Sequence, residues 1–205
     1  MELIKILEQK FKEPLPGKAA QYKMAHVVRQ TYPEPGANFR TACILALFYL
    51  KDGAWHIPLI IRESANHNDR HRGQVGFPGG KHEPSDKSLE AAALREAYEE
   101  IGVISADVKV LGQLTELYIS VSQFMVYPFV GVIDYVPDFV LQESEVSGLI
   151  EVPLSELQDP QKNQKTNLKI NPNITLKDVP YYNIDGHIVW GATAMMLSEL
   201  LELIG

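Results

Sequence analysis

Residues Thr41 to Leu50 form a continuous run, TACILALFYL, with no charged residue in it. An unbroken apolar segment of this length, without alternation, reads as a central strand of a sheet. From Ala42 to Leu50 it is too short to cross a bilayer. Asp52-Gly53 is a hairpin signal, and Trp55 to Ile61 returns as the partner strand. The chain must therefore build layers around a sheet, and the rest of the sequence supplies them.

Val108 to Tyr118, Phe124 to Ile133 and Leu149 to Val152 are strand-like. Gln74 to Phe77 is short and extended, and Pro78-Gly79-Gly80 is expected to break it. Residues 159 to 180 are polar and poorly patterned, which predicts a long loop with short strands. Three segments have helical spacing. Leu3, Ile4, Leu7 and Phe11 line one side of a first helix, ended by Pro14 and Pro16. Asp86 to Ile101 is the clearest helix, with Asp86 or Ser85 as cap, Gly102 past its end, and Ala91, Leu94, Tyr98 and Ile101 as its apolar stripe. Gly191 to Ile204 reads as a terminal amphipathic helix. Helices and strands interleave, so the fold class is α/β or α+β with a mixed sheet. Residues 1–37 are read as a helical extension packed on a domain of residues 38–205.

The composition is that of a soluble globular chain, with 205 residues, 45% apolar and 22% charged. A single cysteine, Cys43, excludes an internal disulfide framework, and its apolar surroundings predict a buried, inert thiol. The net charge of −7 argues against broad binding to nucleic acid or anionic membranes. An anionic substrate then needs local compensation from a metal or a few placed basic groups. The first residues, MELIKILEQKFKE, lack the pattern of a secretory signal, and Leu203-Ile204-Gly205 carries no retention or peroxisomal address, so a cytoplasmic protein is expected.

The helix ending in Arg95-Glu96-Ala97-Tyr98-Glu99-Glu100 carries the chemistry. Glu96, Glu99 and Glu100 stand at i, i+3 and i+4, which share one helix face. Like charges at this spacing repel by about 0.2–0.5 kcal/mol per exposed pair. A divalent cation removes the conflict, and carboxylate oxygens suit hard ions such as Mg²⁺ or Mn²⁺. Acidic helix faces are also common as plain solvated surface, so the flanks have to decide. Gly79-Gly80 before the helix and Gly102 after it permit close backbone approach to a metal or phosphate, and the Gly80 carbonyl is a further candidate ligand. Arg95 can reach Glu99 at i+4 and hold it.

The stretch GGKHEPSDKSLEAAALREAYEEIGV, Gly79 to Val103, resembles the signature box of the Nudix hydrolases. Arg95, Glu96, Ala97, Glu99, Glu100, Gly102 and Val103 match its second half without a gap. The first half departs: Asp86 replaces the expected glutamate, and eight residues rather than seven separate it from Arg95. Asp86 is therefore read as a helix cap. The resemblance implies a Nudix-type α/β/α sandwich with a mixed sheet, and a diphosphatase using Mg²⁺ or Mn²⁺ held by Glu96, Glu99, Glu100 and Gly80.

Gly73 to Gly80, the run Lys81 to Asp86, and Ile188 to Ala194 are similar to segments of the Nudix subgroup that acts on coenzyme A. That implies cleavage of coenzyme A or an acyl derivative to 3′,5′-ADP and 4′-phosphopantetheine. An ADP-ribose or nucleotide-sugar diphosphatase, or a non-catalytic nucleotide-binding module, are the alternatives. The subgroup's usual arginine is replaced at its position by Asp69, and Arg62, Arg70 and Arg72 are candidates to bind substrate phosphates, with Gly79 beside them. His71 is a further candidate for general base. Glu145 resembles the further acidic residue that Nudix enzymes often draw from a distal loop, so either Glu96 or Glu145 is the base. Trp190 is read as core, and so are Tyr118, Phe124 and Tyr127, which could otherwise line a base pocket. The expected partner is a small nucleotide, with neither nucleic acid nor membrane, and the terminal extension and apolar strands offer surface for a homodimer.

Overall fold

The computed structural model describes residues 2–26, 33–34, 37–63, 72–171 and 173–205. Strand β1 (Arg40–Lys51) lies at the centre of an eight-stranded sheet. The hairpin through Asp52-Gly53 forms as the sequence predicts and leads into β2 (Ala54–Arg62). On the other side, β7 (Phe124–Val132) runs parallel to β1 along nine residue pairs, so the sheet is mixed. β5 (Lys109–Gln113) and β6 (Leu117–Ile119) pair with β7; β3 (Val75–Gly76) and β8 (Val146–Pro153) pair with β2.

Alternate residues of β1 enter two separate cores, as strand geometry requires. Ile44, Ala46 and Phe48 pack with α1 (Glu2–Lys10) and α5 (Gly191–Ile204). Cys43, Leu45, Leu47 and Tyr49 pack with α3 (Leu89–Ile101). The result is helices on both faces of a mixed sheet. The extension adds α2 (Gly17–Gln21) against α5. There the buried Glu199 carboxylate accepts hydrogen bonds from Gly17 N–H (3.2 Å), Thr115 N–H (3.1 Å) and Gln21 Nε2 (2.7 Å). A four-residue helix, α4 (Leu154–Leu157), follows β8.

Several expectations need correction. Gly79 and Gly80 do not merely break a strand. With Lys81 they form β4 (Gly79–Lys81), antiparallel to Ala42–Ile44. Residues 159 to 180 are not a loop: β9 (Asn163–Asn171) and β10 (Ile174–Ile184) make a long hairpin, joined by β11 (His187–Trp190) in a second sheet. β9 is exposed or half-exposed throughout its described side chains, so it carries no inside-outside alternation to read. α3 starts at Leu89, where Ser88 Oγ accepts the Ala91 N–H at 3.0 Å; neither Asp86 nor Ser85 is the cap. Its other end is as expected, with Gly102 in the left-handed region at φ 76°. The stripe also shifts. Tyr98 is 58% exposed, while Ala93, Ala97 and Glu100 recur at i, i+4 and i+7 among the buried residues. α5 is buried almost all round from Thr193 to Leu200 rather than along one face.

Candidate active site

The three glutamates of α3 share a face but not an environment. Glu100 is 1% exposed, Glu96 half-buried and Glu99 exposed. The Gly79 N–H donates to Glu100 Oε2 at 2.7 Å, so β4 closes over this carboxylate. Arg62 Nη1 lies 3.6 Å from Glu100 Oε1. Burial, opposed by the Gly79 N–H and Arg62, and reinforced by the charges of Glu96 and Glu145, pushes the Glu100 carboxyl up to about 7. Burial also raises Glu96, against the pull of Arg95.

The adjacent glycines of β4 have separate reasons to be glycine. A Cβ on Gly79, at φ 154°, would lie 2.4 Å from the Cys43 carbonyl oxygen and 2.6 Å from Ile44 Cα. A Cβ on Gly80 would lie 2.4 Å from Glu96 Oε2. Gly80 is therefore the floor on which the Glu96 carboxylate rests.

Arg95 holds the acidic side together. Its guanidinium forks onto Asp86, with Nε to Oδ1 at 2.8 Å and Nη2 to Oδ2 at 3.1 Å. Nη1 donates to Glu96 (3.0 Å) and to Glu99 (2.8 Å), the latter as the helical spacing predicts. Nη2 also donates to the Lys81 carbonyl in β4 (3.1 Å). Asp86, read from sequence as a cap, is instead the anchor of this arginine, and the Arg95 guanidinium holds its carboxyl below the usual range. The distance from Gly80 through Asp86 to Arg95 was the available signal: a carboxylate in the loop between a glycine turn and an arginine two turns into the helix.

Glu145 reaches the site through backbone. Gln142 N–H donates to the Glu100 carbonyl (3.0 Å), Glu145 N–H to the Gln142 carbonyl (2.9 Å), and Glu63 N–H to the Glu145 carbonyl (2.7 Å). These bonds tie a distal turn to the C-terminal end of α3, and the Glu145 charge acts on both Glu96 and Glu100. Arg62 is positioned by ladder bonds with Gly73 and Gln74. Arg72 faces Glu63, with Nε to Oε1 at 2.5 Å, rather than the helix glutamates. Arg70 and His71 lie outside the described residues. Cys43 is buried on β1 opposite Gly80 of β4, and burial together with the charges of Asp86 and Glu96 pushes its thiol up to about 12, so it is inert. Tyr118 is buried. Phe124 and Tyr127 are half-buried against the two cores, and Phe124 carries Arg40 4.1 Å above its ring.

Residues 39–174 match the model of the NUDIX domain. The chain belongs to the Nudix hydrolase family. Relatives carrying the name uncharacterized Nudix hydrolase NudL, from Yersinia pestis (strain Pestoides F) and Yersinia pseudotuberculosis (strain YPIII), are each 36% identical over 149 residues. That span covers 71% of this chain and 72% of theirs. The fold is similar to that of RenU, a Nudix hydrolase from M. smegmatis, with TM-score 0.56 and 19% identity over 83% of this chain and 90% of that one. It is also similar to the MutT protein of Methanosarcina mazei Go1, with TM-score 0.51 and 18% identity over 82% and 95%. This Nudix hydrolase acts on nucleoside diphosphate derivatives, and enzymes of the family generally use divalent metal ions. No helix among the described residues is long and apolar enough to cross a membrane.

The donor chemistry fits such an ion. The Glu96 carboxylate lies against Gly80, where the missing Cβ leaves room for it, and burial and mutual repulsion raise both Glu96 and Glu100. As they stand, no three acidic, histidine or cysteine groups among the described residues are gathered closely enough to hold a cation. Arg95 pairs with Glu96 and Glu99, and Arg62 with Glu100.

Proposed function

We propose that this Nudix hydrolase cleaves the diphosphate of coenzyme A or an acyl derivative, releasing 3′,5′-ADP and the corresponding 4′-phosphopantetheine. Glu96, Glu99, Glu100 and the Gly80 carbonyl are the ligands for Mg²⁺ or Mn²⁺. When bound, the ion neutralises the diphosphate and lowers the pKa of a water. The Gly79 N–H fixes one oxygen of Glu100 and leaves the other facing the site. Arg95 holds Glu96 in one orientation over Gly80. Arg62 supplies a positive donor to the diphosphate. Glu145 takes the proton from the attacking water, because the Glu96 carboxylate is already engaged by Arg95 while Glu145 is exposed beside it.

One observation carries the substrate assignment. Two of the three segments that resemble the coenzyme A subgroup, Gly73 to Gly80 and Ile188 to Ala194, are far apart in sequence but pack together. The Thr193 Oγ1 donates to the Val75 carbonyl at 3.0 Å, four residues before the glycine whose N–H holds Glu100. A panel of coenzyme A, ADP-ribose, NADH and diadenosine polyphosphates, each with Mg²⁺ and Mn²⁺, tests the assignment. Highest kcat/KM on coenzyme A, with 3′,5′-ADP as product, is expected. Preference for ADP-ribose would reassign the substrate, and nucleotide binding with no turnover would make the chain a binding module.

A further inference from the structure

Arg62 stands at the end of β2 and is the only cation whose ion pair with Glu100 is seen among the described residues. Its guanidinium is 3.6 Å from Oε1, beyond a short hydrogen bond, and its side chain is 35% exposed. Oε2 is committed to the Gly79 N–H, so Oε1 is the oxygen left to bind a cation. Arg62 therefore occupies the side of Glu100 that a metal would take. A guanidinium and a divalent ion repel one another at one carboxylate oxygen. An anionic diphosphate attracts both, and Arg binds phosphate with a planar pair of N–H donors.

We propose that Arg62 is an exchangeable counter-ion for Glu100: it holds the buried carboxylate while the site lacks metal, and transfers to the substrate diphosphate when metal arrives. This rests on the proposal that Glu100 is a metal ligand. The backbone of Arg62 is fixed by Gly73 N–H to its carbonyl (2.7 Å) and by its own N–H to the Gln74 carbonyl (3.0 Å). The exchange is thus a side-chain movement on a fixed strand end. Its consequence is coupling. Metal alone has to displace Arg62, whereas metal with a diphosphate finds Arg62 already drawn away. Each ligand then strengthens the other's binding by the same factor.

The test is Mn²⁺ binding to metal-free protein, read from the free-ion electron paramagnetic resonance signal, with and without α,β-methylene-ADP as an uncleaved diphosphate. Wild type is compared with Arg62→Met, with Arg62→Gln in parallel should the methionine variant not fold. Arg72→Met is the control for loss of a nearby charge. Without nucleotide, Arg62→Met or Arg62→Gln is expected to bind Mn²⁺ about two- to five-fold more tightly than wild type, the range of a partly exposed ion pair. The analogue is expected to tighten Mn²⁺ binding in wild type and to do so less in the Arg62 variants. The metal-free Arg62 variants should also melt lower, with a larger rise on adding Mn²⁺. An unchanged or weaker Mn²⁺ affinity in the Arg62 variants overturns the proposal, as does an equal gain in Arg72→Met. A separate arm uses Glu100→Gln. If wild type binds Mn²⁺ and Glu100→Gln binds it equally well, the assignment of Glu100 as ligand fails. If Glu100→Gln loses binding while the Arg62 variants match wild type, only the exchange fails.

Discussion

Gly79 and Gly80 are adjacent, and alanine at each should fail in a different way. At Gly80 the new Cβ would meet Glu96 Oε2 at 2.4 Å, Cδ at 2.5 Å and Oε1 at 2.6 Å. Carbon contacts are comfortable from about 3.5 Å, so the carboxylate must retreat by roughly 1 Å. It is the end of a flexible side chain, and moving it costs about 0.5–1.5 kcal/mol of rotamer strain. A displacement of that size at a reacting centre costs on the order of 100-fold in rate. Gly80→Ala should therefore fold and melt close to wild type while kcat falls about 100-fold. At Gly79 the obstacles are the Cys43 carbonyl and Ile44 Cα of the central strand, which cannot step aside, and φ is 154°. Gly79→Ala should lose roughly 2–5 kcal/mol of stability, from overpacking and backbone strain together. The assay is kcat at saturating Mg²⁺ alongside a urea melt of each variant. A Gly80→Ala enzyme with kcat within two-fold of wild type would refute the reasoning, because Glu96 would then not need to lie over Gly80.

Three further outcomes follow from the same geometry. Burial raises the Glu100 carboxyl from 4.5 to about 7, so its contribution to stability is present in full below pH 4.5 and is lost as pH rises through 7. The metal-free protein should lose stability between about pH 4.5 and 7, and Glu100→Gln or added Mg²⁺ should flatten that slope; thermal melts across pH check it. Asp86→Asn keeps the shape but removes the charge that Arg95 grips, so kcat should fall with little change in KM, and stability should fall by roughly 1–3 kcal/mol. Ser88→Ala removes the cap of α3 and should cost about 1 kcal/mol in a denaturant melt while leaving kcat unchanged.

The central strand was legible because Cys43 to Tyr49 is buried on both faces, and an unbroken apolar run has no other comfortable place. The C-terminal end of α3 was legible because Gly102 must be left-handed there. Its start is not legible because Ser85, Asp86 and Ser88 are all chemically able to cap, and it is the folded loop, through Arg95 and the Glu83 N–H, that takes Asp86 out of the competition. Spacing placed Glu96, Glu99 and Glu100 on one face, but periodicity is blind to β4 folding over Glu100, which makes it the buried member. The hairpin of β9 and β10 is not legible in the sequence because cross-strand pairs such as Leu168 with Leu176 hold it, with little inward-facing stripe. Glu145 was legible only by resemblance, since its link to α3 runs through backbone bonds at Gln142.

Hydrolysis of coenzyme A by wild type and Glu100→Gln at saturating Mg²⁺, with 3′,5′-ADP counted chromatographically, tests the central claim most directly. The account predicts Mg²⁺-dependent release of 3′,5′-ADP by wild type, abolished by chelation, and its loss in a Glu100→Gln variant that still folds. Wild-type turnover by Glu100→Gln would contradict it, whatever the substrate.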